Sequence, residues 1–166
     1  VSEDKRLLTI HDLHTHFHTD DGVVRAVDGV TLKVDRGKIV GIVGESGCGK
    51  SVLGLSILRL VPRPGRIVSG SIVYHGLNGS QPVDITSLHP ESEAMRAIRG
   101  NEISMIFQEP MAALSPVYTV GEQIIEAIQL HRPVRRQEAR KRALELLQKV
   151  GIPDPAQRLD EYPFRL

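Results

Sequence analysis

The chain has one cysteine, no long apolar run and almost no net charge, and each shortage removes a class of explanation. Cys48 is alone among 166 residues, so no internal disulfide can form, and a reducing compartment is the default for such a sequence. No stretch approaches the apolar length of about 20 residues that a membrane-spanning helix needs, and any membrane role is expected to be peripheral. The opening VSEDKRLLTIHDL lacks the apolar centre of a signal peptide. With 21 basic and 20 acidic residues the net charge is +1, which leaves no electrostatic footprint for nucleic acid or an anionic lipid surface. Internal repeats and low-complexity segments are missing too. What remains is an ordinary globular composition, 40% hydrophobic and 25% charged, in a length suited to one core.

Apolar periodicity then orders the chain. Residues 7–34 read as a hairpin or meander, LLTIHDLHTHF and VVRAVDGVTLKV separated by HTDDG. KIVGIVG (38–44) is a continuous apolar run, as expected of a strand buried on both faces. SVLGLSILRLV has helical spacing and is stopped by Pro62 and Pro64. SGSIVYHG (69–76) and ISMIFQ (103–108) are further strand candidates, with a polar, irregular stretch at 77–94 between them. The remainder reads as helical. Thr119 and Glu122 have capping-box spacing, and RRQEARKRALELLQKVG places Ala139, Ala143, Leu146, Leu147 and Val150 on one face before Gly151 as a C-cap.

Between the 38–44 strand and the following helix lies G-x-x-x-x-G-K-S, from Gly44 to Ser51. Gly44, Gly47 and Gly49 let the backbone curl until successive N–H groups converge on one anion. Lys50 adds a mobile positive charge, and the Ser51 hydroxyl can ligate Mg²⁺. The helix that starts here aims its positive dipole end at the same point. A buried strand before and an apolar helix after make this a phosphate loop, with Gly44, Glu45, Ser46, Gly47, Cys48, Gly49, Lys50, Ser51 and Val52 as the candidate nucleotide-binding residues. Cys48 could be a redox switch, because a helix N-terminus lowers a thiol pKa. A small residue at a variable loop position is the plainer reading and the preferred one.

What the nucleotide is used for depends on SMIFQEPMAALSPVYTVGEQI (104–124). In one reading Glu109 is a strand-end acid, and the chain is a compact P-loop kinase or simple NTPase, complete as it stands. In the other, the neutral amide of Gln108 both ligates Mg²⁺ and orients water, and the loop behind it reports the state of a partner. GIVGESGCGKS taken with MIFQEPMAALSPVYTVGEQI resembles the ATP-binding subunits of ABC transporters, most of all the oligopeptide, dipeptide and nickel importer group. The resemblance covers nearly the whole chain, through AVDGVTLKVDRGKIVGIVGESG, MRAIRGNEISMIFQEPM and the final EYPFRL.

That resemblance implies an α/β P-loop NTPase fold of ABC type. It implies a partial nucleotide-binding domain over 1–166, with an antiparallel β subdomain at 1–36, a RecA-like core through the Gln loop at 37–110 and the start of a helical subdomain at 111–166. It implies ATP and Mg²⁺ as cofactors, Lys50 and Gln108 as catalytic residues, and Ser51 and Gln108 as Mg²⁺ ligands. Phe17 becomes the candidate adenine-stacking aromatic, against the alternative that it simply packs in the sheet. The implied partners are a second ATPase subunit, two transmembrane permease subunits and an extracytoplasmic substrate-binding protein, at the cytoplasmic face of the membrane. The implied task is to energise import of peptides, or else of nickel. The chain departs from the family in having no LSGGQ-type signature and no apolar run ending in Asp-Glu. It is therefore expected to be the N-terminal part of such a subunit, offering the phosphate-loop side of a shared ATP site, binding ATP weakly, turning it over poorly and exposing apolar surface. A non-transport ABC ATPase of DNA repair or translation fits the near-neutral charge and the Gln segment less well.

Two further clusters draw notice. HDLHTHFH carries His11, His14, His16 and His18. On a regular strand His14, His16 and His18 share a face about 7 Å apart, a spacing that suits a solvated face better than three ligands on one ion. HRPVRRQEARKR (131–142) is basic and reads as a solvated helix face, with Glu138–Arg142 and Glu145–Lys149 at i,i+4.

Overall fold

The computed structural model describes residues 5–76, 81–109 and 113–165, which divide into two units, residues 1–104 and 105–166.

In the first unit, β1 (Arg6–Thr19) and β2 (Gly22–Asp35) form the expected hairpin. Its turn at Asp20–Asp21 is closed by the Thr19 hydroxyl, which donates to the Gly22 carbonyl at 2.9 Å. β3 (Gly65–Tyr74) pairs with the other edge of β1, and the short β4 (Val83–Asp84) pairs with β3. The order is β2-β1-β3-β4, antiparallel throughout, so the antiparallel sheet draws on the chain beyond residue 36. Leu8, Ile10 and Leu13 of β1, Val27 of β2, and Ile72 and Tyr74 of β3 build the core with Leu53 of α1 (Lys50–Ile57) and Met95 and Ile98 of α2 (Glu93–Ile98).

The buried positions of β1 switch from even (Leu8, Ile10) to odd (Leu13, Thr15) numbers. The cause is a bulge at Asp12, whose φ is 44°. Register slips on both sides of β1 at this level. One inserted residue turns every later side chain to the other face. The distortion needs Gly70, at φ 89°, because a Cβ there would lie 2.3 Å from the Asp12 carbonyl oxygen.

α1 is docked on this sheet by apolar packing and one buried polar contact. The hydroxyls of Ser56 and Thr15, both fully buried, are 2.9 Å apart, and the Ser56 hydroxyl also donates to the Val52 carbonyl. The helix is shorter than its apolar spacing predicts: it ends at Ile57, and Arg59 turns the chain at φ 55° before Pro62 is reached. The freed Leu58 carbonyl accepts two hydrogen bonds from the Arg99 guanidinium, at 3.1 and 2.8 Å.

Two expected strands are not formed. Residues 38–45 have no regular structure, with Ile39 and Val43 almost wholly exposed. Residues 103–108 make only a single bridge, Ile103 to Arg99, and Ile106 is 90% exposed. The composition is that of a strand in the middle of a parallel sheet, but such a strand is held by ladders on both edges. Among the described residues no strand pairs with either segment.

The second unit packs α3 (Val120–His131), α4 (Arg136–Lys149) and α5 (Pro155–Leu159) around Ile125, Ala139, Ala143, Leu147 and Leu159. The Thr119–Glu122 capping box is formed in both directions. Gly121 allows α3 to meet α5, since a Cβ there would lie 2.5 Å from the Leu159 carbonyl oxygen. Only Ala139, Ala143 and Leu147 of the predicted α4 stripe are buried, while Leu146 and Val150 are exposed, because the small α5 covers a narrow strip. Gly151, at φ 77°, ends α4 as expected. The basic residues of α4 are solvated, yet the i,i+4 pairs Glu138–Arg142 and Glu145–Lys149 are absent from the ion pairs among the described residues. Arg140 instead grips Asp160 with two bonds of 2.8 Å.

That grip holds the Asp160 carboxyl below its ordinary value of 3.8, and the Thr119 backbone N–H and hydroxyl hold Glu122 below 4.5. Depressed carboxylates stabilise the fold above their ordinary pKa, and the contribution disappears as pH falls through the folded values. Circular-dichroism melts should therefore show a midpoint that falls below about pH 4, with a shallower fall in Asp160→Asn. Thr119→Ala should cost about 1 kcal/mol at neutral pH.

Candidate functional site

The loop from Gly44 to Ser51 leaves an irregular segment and enters α1 at Lys50. Its three glycines meet three different surroundings. Gly49 has φ 92°, and a Cβ on it would lie 2.0 Å from the carbonyl oxygen of Ala26 in β2. The start of α1 thus rests against the sheet with no room for a side chain. Gly47 has φ 80° and open space around it, so only its conformation demands glycine. Gly44 is covered by the Cys48 sulfur, which would lie 2.5 Å from a Cβ there. This is the plainer reading of Cys48, a small side chain that packs on its own loop.

Lys50 is folded back over this loop. Its ammonium donates to the carbonyls of Gly44 at 2.7 Å and Glu45 at 2.6 Å, and lies 3.5 Å from the Cys48 sulfur. Among the described residues, the amides of Gly47, Gly49, Lys50 and Ser51 donate no backbone hydrogen bond. The first turn of α1 contains no acidic residue, so nothing local offsets its positive end. The side chain at this end is cationic as well. A helix that begins with unpaired amides and a lysine is a favourable place for an anion. Ser51 is exposed at this end, and Val52 is partly buried against the core.

Phe17 lies near the end of β1, paired with Val24 of β2 and Gly65 of β3. Its Cε1–Cζ edge sits on Gly65, 2.6 and 2.8 Å from where a Cβ would be, and the ring is half-buried. Glycine opposite an aromatic ring lets the ring settle onto the neighbouring strand.

In the second unit Gln108 and Glu109 are both exposed, and with Phe107 and Ala113 they line an open cleft of about 570 Å³. Pro110, Met111 and Ala112 fall outside the described residues. The loop that follows is fixed by Gln123 of α3, which sequence reasoning did not single out. Its side-chain oxygen accepts from the Ser115 N–H at 2.8 Å, and its amide donates to the carbonyls of Ser115 at 3.0 Å and Tyr118 at 3.1 Å. The signal for it was a glutamine one residue beyond a capping box, next to a Ser-Pro loop with backbone groups to satisfy. The structure thus gathers Gly44, Glu45, Cys48 and Lys50 at the start of α1, places Phe17 elsewhere on the same unit's sheet, and carries Gln108 on the other unit.

A glycine-rich loop feeding an unoffset helix, set on strands, defines the class of α/β phosphate-loop proteins. Comparison with known proteins agrees and narrows the class: residues 27–166 match the ABC transporter family, and the chain belongs to it. It is 49% identical over 161 residues to a probable peptide ABC transporter ATP-binding protein of Sinorhizobium fredii, covering 96% of this chain and 46% of that protein. It is 44% identical over 160 residues to a dipeptide transport ATP-binding protein of Escherichia coli, again 96% of this chain and 46% of the relative. The chain spans about half the length of these curated relatives. In three dimensions it is similar to a dimeric bacterial ABC transporter cassette, with a TM-score of 0.78, 22% identity, and coverage of 96% of this chain and 63% of that one. A post-hydrolysis form of that cassette bound to ADP and Pi gives a TM-score of 0.75 at 21% identity. These likenesses establish the fold.

The glycines offer a direct check. Gly37→Ala has open space at φ 66°, and the strain alone should cost about 1 kcal/mol. Gly49→Ala must also displace the Ala26 carbonyl, and should cost about 3 kcal/mol or more. Urea titrations of the two variants compare them, and equal losses would contradict the close approach to β2.

Proposed function

We propose that this chain is part of the nucleotide-binding domain of an ATPase subunit that energises peptide import. The observation that carries the proposal is the start of α1, where free amides, an unoffset helix end and Lys50 converge. The fit to a nucleotide's phosphates is supported by the loop itself. Lys50 now spends its donors on two carbonyls of the same loop, and phosphate oxygens are stronger acceptors for an ammonium than carbonyls are. Peptide as cargo is supported by the names of the relatives, whose peptide and dipeptide transport subunits share this chain's sequence through both units.

In this reading the amides of Gly47 to Ser51 cradle the β- and γ-phosphates, and Lys50 neutralises their charge. Glu45, Ser46, Cys48 and Val52 shape the loop around them, and Phe17 lies under the adenine. The Ser51 hydroxyl and the Gln108 side-chain oxygen are the Mg²⁺ ligands. Held by these two side chains, Mg²⁺ would supply positive charge against the charge that develops in phosphoryl transfer. Gln108 also orients the attacking water. The catalytic roles thus fall to Lys50 and Gln108. The β, core and helical parts of the domain divide near 36 and 110, with the strands at 65–74 and 83–84 joining the sheet of the β part. The subunit works at the cytoplasmic face with a second ATPase subunit, two transmembrane permease subunits and an extracytoplasmic substrate-binding protein.

Equilibrium dialysis with MgATP tests the first part. The chain should bind nucleotide, Lys50→Ala should weaken binding at least tenfold, and Glu109→Gln should leave it unchanged. Gln108→Ala in the full-length subunit should lower turnover by about 10² or more while nucleotide is still bound. Robust turnover by the 166-residue chain alone, lost in Glu109→Gln, would replace this reading with a compact phosphotransferase.

A further inference from the structure

The bulge at Asp12 assembles a second cluster, on the sheet face away from the Leu13 and Thr15 side chains. With the register shifted, His14 pairs across the strands with Asp28, and His16 with Arg25. The His14 Nδ1 is 2.8 Å from Asp28 Oδ1, and the His16 Nε2 is 3.7 Å from the same oxygen. One donor atom from each of His14, His16 and Asp28 lies within 4.8 Å of the others. The two rings meet edge-on with centroids 5.9 Å apart, closer than a regular strand would hold them. His18 is exposed beyond the cluster and is not part of it. His14, His16 and His18 do not converge as three ligands, in keeping with the strand spacing; the third place is taken by Asp28 from the neighbouring strand.

Two details point to a ligand and not merely to a polar patch. The His16 Nε2 is buried, faces Asp28, and has no hydrogen-bond partner, a position that costs free energy unless something occupies it. His14 is oriented from behind, because its other nitrogen, Nε2, lies 3.2 Å from Asp12 Oδ1. A carboxylate that accepts the second ring N–H of a histidine is the usual outer support of a metal ligand, fixing tautomer and ring plane. Arg25 approaches only the second oxygen of Asp28, at 3.7 Å, and leaves Oδ1 to the two rings.

We propose that His14 Nδ1, His16 Nε2 and the Asp28 carboxylate form a binding site for one divalent transition-metal ion, with Asp12 as its outer-shell support. Two imidazoles and one carboxylate are the donor set of zinc sites that keep a fourth position open. The same set admits Ni²⁺ and Cu²⁺ and disfavours Ca²⁺ and Mg²⁺, which prefer all-oxygen shells. Tetrahedral ligands at zinc distances stand about 3.3 Å apart, so the 2.8 Å His14–Asp28 pair opens slightly and the wider pairs close, by small side-chain rotations. The proton held between His14 Nδ1 and Asp28 leaves to solvent as the ion enters. The site is independent of the phosphate loop and of the reading given to it.

Isothermal titration of the EDTA-treated chain with ZnCl₂ at pH 7.5 tests this. One Zn²⁺ per chain should bind with a Kd of about 10 µM or tighter. His16→Ala should weaken it at least 30-fold, Asp12→Asn by about tenfold, and His18→Ala not detectably. His16→Gln keeps the side chain's bulk and decides the matter should His16→Ala fail to fold. Co²⁺ should give a visible spectrum typical of imidazole-bound metal that is lost in the same His16 variant. Wild-type binding weaker than about 100 µM, or binding that persists in His16→Ala and His16→Gln, would overturn the site, the second result assigning the metal to Cys48 or to other histidines.

Discussion

The contact between the backbone of Gly49 and the carbonyl of Ala26 sets the geometry on which the phosphate loop depends. It brings the first residue before α1 against β2 so closely that a methyl group would collide with the sheet. The helix axis, the direction of its free amides and the reach of Lys50 all follow from that seat. The buried Thr15–Ser56 pair fixes the other end of α1 to β1. A short helix is marginal by itself, so its two attachments to the hairpin make it a rigid platform. The loop, in turn, is tied to this held helix through the Gly44 and Glu45 carbonyls that Lys50 reaches.

Much of this was legible in the sequence, because its signals are local. Glycine, lysine and serine at fixed offsets announce a phosphate loop, Thr119 with Glu122 announces a helix start, and HTDDG between β-branched runs announces a hairpin. The bulge was not legible. Asp12 sits in a run whose apolar residues fit a plain strand, and only Gly70, far along the chain, makes its φ tolerable. The clamp from Gln123 escaped for a related reason, since nothing in a glutamine's identity tells which backbone groups it will satisfy. Period alone places Val150 and Leu146 on the buried face of α4. The width of the neighbour that would cover them is a tertiary fact.

The two polar clusters of the first unit contrast in their chemistry. At the start of α1 the unsatisfied groups are donors, N–H and ammonium, and call for an anion. Around Asp28 the convergent groups are ring nitrogens and carboxylates, lone-pair donors that suit a cation. One side of the unit gets its character from helix geometry, and the other from a single extra residue in a strand.

The exposed run KIVGIVG has a consequence for handling the protein. It is uncharged after Lys38, free of proline and rich in β-branched residues, with Ile39 and Val43 open to solvent. Its backbone is unladdered among the described residues. Such a segment is a ready template for pairing with its own copy in another molecule. Preparations of this chain should stay dispersed when dilute and cold and become turbid when concentrated. A mild chaotrope, or a short peptide able to lie along the same edge, should clear them without unfolding the hairpin.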